Sequence, residues 1–136
     1  MLYQTALVVD DSKLARITLK KKIEAQGLTV QLLESGMEAL DKLAEIKPDI
    51  VFMDHLMPEM DGFETTQKIR EQLQWQNLAI VMCTGKEHDG YLAEAKAIGA
   101  DAVLAKPPSD EALQTILQTA FEREPSIVVG DLSGFD

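Results

Sequence analysis

Short apolar runs alternate with longer helical patterns along this chain, and this alternation constrains the fold more than any other feature. Strands that are apolar throughout, separated by amphipathic helices, indicate a parallel sheet covered by helices on both faces. With right-handed crossovers, the pattern predicts an α/β fold, a doubly wound (βα)5 unit with a five-stranded parallel sheet in the order 2-1-3-4-5. The predicted strands are 6–9, 29–33, 50–53, 79–83 and 102–105.

Helix signals fill the segments between these strands. Ser35 and Glu38 form a capping-box pattern that opens the second helix, and Pro48 ends it. The third helix is predicted to continue as far as Leu73, and the fifth as far as Phe121. The predicted helices are about 12–26, 35–46, 63–73, 89–98 and 110–121.

Length and composition limit the kind of protein this is. The chain has 136 residues and is 46% hydrophobic, so we expect one packed domain over residues 1–123 and a tail or truncated linker over 124–136. One cysteine, no membrane-length apolar run and no signal-peptide pattern predict a cytoplasmic protein without membrane insertion. The net charge of −10 argues against direct nucleic-acid binding.

Polar residues follow four of the five predicted strands. In open α/β sheets, ligands bind beyond the carboxyl ends of the strands, where strand order reverses. The first strand is followed by Asp10 and Asp11, the third by Asp54, the fourth by Thr84 and the fifth by Lys106. No chemically notable residue follows the second strand. We therefore expect three carboxylates, a hydroxyl and an ammonium group at one edge of the sheet.

Such a cluster needs a positive charge among its carboxylates. Two carboxylates about 4 Å apart repel by roughly 4 kcal/mol at an effective dielectric constant near 20. Lys106 offers one positive charge and a divalent cation would offer two; oxygen ligands favour a hard ion such as Mg²⁺. A site with Mg²⁺, a lysine and a hydroxyl group is suited to binding a phosphoryl group. Asp54 is the natural nucleophile, since a carboxylate can attack phosphorus to form an aspartyl phosphate.

Single residues of this set also have structural interpretations. Asp11 alone would more often be a helix N-cap than a ligand. His55 and His88 lack a metal-ligand partner at helical spacing, so structural or surface roles are predicted for both. Cys83 is predicted to be a small core residue, and Asp61 to be structural. The conjunction of these residue types at successive strand ends is what favours a functional site.

The chain resembles the receiver domain of two-component response regulators from about residue 7 to residue 121, in the manner of single-domain chemotaxis regulators. The resemblance implies a flavodoxin-like fold, Mg²⁺ as cofactor and a phosphorelay role in signal transduction rather than an enzyme acting on other substrates. The matching motifs are LVVDDS (7–12), VFMDHLMPEMDG (51–62), VMCTGK (81–86) and GADAVLAKP (99–107).

The resemblance implies a role for each matching residue. Asp54 corresponds to the phosphoacceptor, which takes phosphate from a histidine kinase or phosphotransfer protein. The Mg²⁺ ligands would be Asp11, Asp54 and the backbone carbonyl of Leu56, with Asp10 acting mostly through water. Lys106 would pair with the phosphoryl group, and Thr84 would turn its hydroxyl toward it. The peptide bond before Pro107 is cis in the family. A downstream protein would bind the face formed by the last two helices and the fifth strand.

Two positions depart from the family pattern. Val103 stands where an aromatic switch residue is usual, so we expect the activated state to be transmitted mainly by backbone shifts after Thr84 and Gly85. Leu56 and Lys86 occupy the positions that tune phosphate lifetime. Because Leu56 cannot orient water by hydrogen bonding, slow self-dephosphorylation is predicted.

Three other functions compete with this interpretation. A Mg²⁺-dependent aspartyl phosphatase needs Asp-x-Asp after its first strand, whereas the chain has Asp10-Asp11-Ser12. A flavin mononucleotide-binding protein would need a phosphate loop there, and these two aspartates would repel the phosphate. A degenerate, non-phosphorylated interaction domain is disfavoured because all the expected residue types are present.

Overall fold

The computed structural model describes residues 2–85 and 89–121 as a five-stranded parallel sheet flanked by helices. The strands are β1 (Thr5–Val9), β2 (Thr29–Leu33), β3 (Ile50–Asp54), β4 (Ala79–Thr84) and β5 (Ala102–Ala105). The helices are α1 (Lys13–Ala25), α2 (Gly36–Ile46), α3 (Gly62–Arg70), α4 (Tyr91–Ala97) and α5 (Asp110–Leu117), with a 3-10 turn at Leu73–Trp75. The strand order is β2-β1-β3-β4-β5, as predicted.

The strand register brings the carboxyl ends of the strands to one edge of the sheet. Val9 at the end of β1 lies opposite Leu33 of β2 and Met53 of β3. Asp54 pairs with Cys83, and Thr84 at the end of β4 pairs with Ala105 at the end of β5. We call this edge the carboxyl-end rim. Strand order reverses between β1 and β3, so their ends flank the predicted ligand crevice.

Each face of the sheet carries its own apolar cluster because alternate strand residues point to opposite faces. Ala6 and Val8 of β1 lie on the face covered by α1 and α5, and Leu7 and Val9 lie on the other face. The second face is covered by α2, α3 and α4. Burial on both faces explains why β3 and β4 are apolar along almost their whole length.

Side-chain caps start four of the five described α-helices. Ser12, Ser35, Asp61 and Ser109 each accept a hydrogen bond from a backbone N–H of the first turn of α1, α2, α3 and α5, respectively. The structural role predicted for Asp61 is confirmed. By contrast, α4 follows Gly90, which has a positive φ of 86° and supplies no side-chain cap.

Several predicted element ends differ from the structure. The third helix ends at Arg70, so Leu73 falls in the 3-10 turn and is 83% exposed, contrary to the prediction that it shares the buried face. The fifth helix ends at Leu117, and Phe121 reaches the core from outside it. The predicted capping box of α2 is altered, because the Glu38 carboxylate accepts from the Glu34 N–H, 2.7 Å away.

Arg70 explains the early end of α3. Its guanidinium donates to the carbonyl oxygens of Trp75 (2.7 Å) and Gly99 (2.8 Å) and to the Asp101 carboxylate (3.1 Å). Asp101 also accepts from the Ile80 N–H in β4. These contacts turn the chain after α3 and attach it to the loop before β5, so a tertiary interaction ends the helix.

The ends of the described domain meet at the opposite edge of the sheet. Tyr3, just before β1, donates its hydroxyl hydrogen to the Thr119 carbonyl oxygen beyond α5. Within residues 2–85 and 89–121, no helix combines the length and apolar character that a membrane crossing requires. The predictions for Lys86, His88 and the tail at 124–136 lie outside the described residues.

Candidate functional site

Lys106 joins two of the predicted aspartates at the carboxyl-end rim. Its Nζ lies 2.8 Å from Asp10 Oδ2 and 3.0 Å from Asp54 Oδ1. Asp10 and Asp54 are buried, at 5% and 6% exposure, while the Lys106 side chain is 27% exposed. A lysine that follows β5 therefore contacts carboxylates from β3 and from the residue after β1. The peptide bond from Lys106 to Pro107 is cis, as the resemblance implied.

Three carboxylates converge beside this lysine. Oxygen atoms of Asp10, Asp11 and Asp54 all lie within 4.8 Å of one another. Asp11 is exposed, whereas the other two are buried. Together with Lys106 the group retains an excess of negative charge, and hard oxygen ligands at this spacing fit a divalent cation such as Mg²⁺.

Burial and neighbouring charges alter the pKa of both central groups. Burial raises the pKa of Asp54 from 3.8 to about 6, because the Lys106 hydrogen bond offsets only part of the desolvation and Asp10 adds repulsion. Burial alone would lower the pKa of Lys106, but its hydrogen bonds to Asp10 and Asp54 raise it above the ordinary value. The lysine therefore stays charged near neutral pH, and Asp54 is held in an environment that disfavours its own charge.

Close backbone packing fixes the position of Asp54. The His55 N–H donates to the Cys83 carbonyl oxygen (3.1 Å), and the Gly62 N–H donates to the His55 carbonyl oxygen (2.8 Å). A Cβ on Gly62 would lie 2.1 Å from the Asp54 carbonyl oxygen, so only glycine fits there. The loop from the end of β3 to the start of α3 thus closes directly behind the acidic side chain.

All six predicted site residues line one cleft. We call it the acidic cleft; its volume is about 550 Å³. Thr84 is 5% exposed at the end of β4, and the Leu56 side chain is 71% exposed. The residues lining the cleft are Asp10, Asp11, Ser12, Asp54, His55, Leu56, Thr84, Gly85, Tyr91 and Lys106.

Two features of this region were missed in the sequence. Arg16 in α1 donates to the Asp10 carbonyl oxygen (2.7 Å), and its guanidinium lies 3.7 Å from the Glu34 carboxylate. Glu34, the residue after β2, is exposed and is not among the described residues that line the acidic cleft. Tyr91 also enters the cleft, from the first turn of α4. Neither residue lies directly after a strand, so the pattern of polar residues at strand ends does not include them.

Cys83 and His55 have the structural surroundings that were predicted for them. Cys83 is buried in β4, and burial raises the pKa of its thiol. The His55 ring stacks on Phe63 with centroids 4.2 Å apart. Neither belongs to the cluster of three carboxylates, although His55 lines the acidic cleft.

Residues 6–118 match the family model of the response regulator receiver domain. The chain is 33% identical to protein PilG of Pseudomonas aeruginosa over 107 residues, which is 79% of each chain. It is 32% identical over 117 residues to the response regulator MprA of Mycobacterium sp. strain KMS, covering 86% of this chain and 50% of that protein. The chain thus spans about half the length of the MprA relatives it matches.

The fold is similar to that of solved receiver structures. The chemotaxis protein CheY4 of Vibrio cholerae superimposes with a TM-score of 0.80 at 33% identity, over 88% of this chain and 99% of the other. A probable two-component response regulator with a GGDEF domain gives a TM-score of 0.77 at 31% identity, over 85% of this chain and 48% of the other. The same fold therefore occurs both as a nearly whole chain and as part of a longer one.

Proposed function

Because this chain belongs to the family of response regulator receiver domains, we propose that it accepts a phosphoryl group on Asp54. The donor would be a phosphohistidine of a histidine kinase or phosphotransfer protein. The observation that carries the proposal is the contact of Asp54 with Lys106, inside a cluster of three carboxylates at the carboxyl-end rim. This is a signalling role, in which the domain assists only its own phosphorylation and dephosphorylation.

The proposed transfer is a displacement at phosphorus. A carboxylate oxygen of Asp54 attacks, a P–O bond forms, and the P–N bond to the donor imidazole breaks with its electron pair passing to nitrogen. Lys106, already 3.0 Å from Asp54, is placed to contact the incoming phosphoryl oxygens, and Thr84 borders the same cleft. Both groups would stabilise negative charge that is present only when the phosphoryl group is bound.

Asp11, Asp54 and the backbone carbonyl of Leu56 are the proposed Mg²⁺ ligands, with Asp10 acting mostly through water. The short spacing of the three carboxylates supports this set. A bound Mg²⁺ would offset the charge of the carboxylates and of the transferring phosphoryl oxygens.

Phosphorylation is proposed to control binding of a downstream protein to the face formed by α4, β5 and α5. Leu92 is 51% exposed, so α4 carries a large apolar side chain outside the core. A cytoplasmic setting is part of the proposal, and the buried, unpaired thiol of Cys83 is compatible with a reducing compartment.

Incubation with acetyl phosphate and Mg²⁺, followed by intact mass measurement, tests the proposal. We expect a gain of one phosphoryl group that is lost with EDTA and in Asp54→Asn. Asp61→Asn is the matched control, because it makes the same chemical change at a helix cap and should still be phosphorylated. If the unmodified chain gains nothing at any Mg²⁺ concentration, the proposal is wrong and a non-phosphorylated interaction domain becomes the better interpretation.

A further inference from the structure

Three aromatic rings from three elements meet beside the acidic cleft. His55 directly follows Asp54, Phe63 lies in the first turn of α3, and Tyr91 is the first residue of α4. The ring centroids are 4.2 Å apart for His55 and Phe63, 5.3 Å for His55 and Tyr91, and 5.4 Å for Phe63 and Tyr91. We call these residues the aromatic triad. It connects the end of β3 physically to the starts of two helices.

Tyr91 is the member of the triad with the most constrained position. It is 2% exposed although it lines the acidic cleft together with Thr84 and Gly85. Its ring packs in the apolar cluster that also contains Met82 of β4 and is bordered by Val103 of β5. An aromatic side chain, which β5 lacks at Val103, is thus supplied to this apolar cluster by α4.

The start of α4 differs from the starts of the other four helices because it has no side-chain cap. The N-terminal turns of α1, α2, α3 and α5 are held by side-chain caps, whereas Gly90 offers none. The helix has seven residues, a length that is marginal without tertiary contacts. Burial of Tyr91 and of Ala95, one turn later, attaches α4 to the sheet.

We propose that Tyr91 is a positioning residue that couples the phosphoryl state of Asp54 to the orientation of α4. The inference rests on the proposed function and extends it by naming how the signal leaves the site. A phosphoryl group adds negative charge and three acceptor oxygens inside the cleft, which moves the end of β4 and the residue next to Asp54. Tyr91 contacts this region through His55, so its ring shifts, and the start of α4, whose first residue is Tyr91, shifts with it.

The two tyrosines of the chain allow a direct test by fluorine NMR. In protein labelled with 3-fluorotyrosine, Tyr91 reports on the acidic cleft and Tyr3, at the opposite edge of the sheet, is the internal control. We expect beryllofluoride with Mg²⁺ to move the Tyr91 resonance by more than its linewidth and to leave the Tyr3 resonance in place. Tyr3→Phe and Tyr91→Phe assign the two signals.

A pair of substitutions separates coupling from simple packing. Tyr91→Phe keeps the ring and should retain the phosphorylation-dependent shifts of the α4 amides from Leu92 to Ala97. Tyr91→Leu keeps an apolar side chain but removes the ring; it should still gain a phosphoryl group from acetyl phosphate while losing most of those amide shifts. A purely structural tyrosine would instead lower the stability of Tyr91→Leu and leave the shifts intact, which would overturn the proposal.

The outcomes also separate this inference from the proposed function. Absence of a phosphoryl group on the unmodified chain contradicts the proposed function itself. A phosphorylated chain whose Tyr91 fluorine resonance does not move contradicts the coupling alone. If Tyr91→Leu fails to fold, the fluorine measurement on the unmodified sequence still tests the proposal, because an unmoved Tyr91 resonance in the phosphorylated chain contradicts the coupling.

Discussion

Replacing Asp54 with asparagine should make the unphosphorylated domain more stable near neutral pH when Mg²⁺ is absent. Burial raises the pKa of Asp54 from 3.8 to about 6, so the folded state binds this proton more tightly than the unfolded state. The stabilisation from the protonated form is complete below about pH 4 and is lost as the pH rises through about 6. The difference between 3.8 and about 6 corresponds, at about 1.4 kcal/mol per pH unit, to about 3 kcal/mol.

Urea denaturation in EDTA at a series of pH values measures this effect. Asparagine has the shape of the neutral carboxyl group, so the two proteins should unfold with similar free energies at about pH 4. The free energy of unfolding of Asp54→Asn should then exceed that of the unmodified chain increasingly up to about pH 7, by as much as about 3 kcal/mol. With the proposed Mg²⁺ site, the ion would bind the folded carboxylate and stabilise that state by mass action, so adding Mg²⁺ should narrow the gap.

Asp61→Asn is again the control, because its side chain caps α3 and asparagine caps a helix about as well. It should show no pH-dependent gain and no change in its response to Mg²⁺. A stability difference for Asp54→Asn that is constant from about pH 4 to about pH 7, or that favours the unmodified chain at neutral pH, would refute the electrostatic reasoning.

Three further predictions concern other residues. Leu56→Asn should shorten the half-life of the phosphorylated state about fivefold, because one hydrogen bond to the attacking water contributes about 1 kcal/mol. Intact mass measured over time gives the half-life, and an unchanged half-life would contradict the prediction. Gly62→Ala should lower the free energy of unfolding by about 1–3 kcal/mol, since the new Cβ meets a backbone oxygen. Gly85→Ala is the control, because a Cβ there meets nothing within 4 Å. Equal urea midpoints for the two variants would disprove the steric argument. Arg70→Met should cost about 1–3 kcal/mol, because it removes the guanidinium hydrogen bonds to Trp75, Gly99 and the half-buried Asp101 carboxylate. Thermal or urea unfolding measures the loss, and a neutral result would show that the contacts after α3 contribute little.

The sheet was predictable because its strands are encoded locally. Each strand is a run of four to six residues, and burial on both faces keeps most of them apolar. The grouping of Asp10, Asp54 and Lys106 followed from one geometric rule, that parallel strands end at the same edge. Even so, Asp54 and Thr84 proved to be the last residues of β3 and β4 rather than the first residues beyond them.

What the sequence did not predict is set by contacts between distant segments. The helical spacing of apolar residues continues to Leu73, and no proline or glycine interrupts it, but Arg70 bonds to the Trp75 carbonyl and turns the chain earlier. Arg16 is one of several charged residues on α1, a pattern typical of a solvated surface. Its contact with the Asp10 carbonyl depends on how α1 packs beside β1, which periodicity alone does not specify.

The contact between Tyr3 and Thr119 has a consequence for engineering. It brings together two points 116 residues apart in the chain, at the edge of the sheet away from Asp54. Because these two points already lie together, a short peptide could join them in a circular permutant, with new chain ends opened elsewhere. Likewise, a reporter domain fused at either point would emerge on the side opposite the acidic cleft, so a tether added there should leave the approach to Asp54 unobstructed.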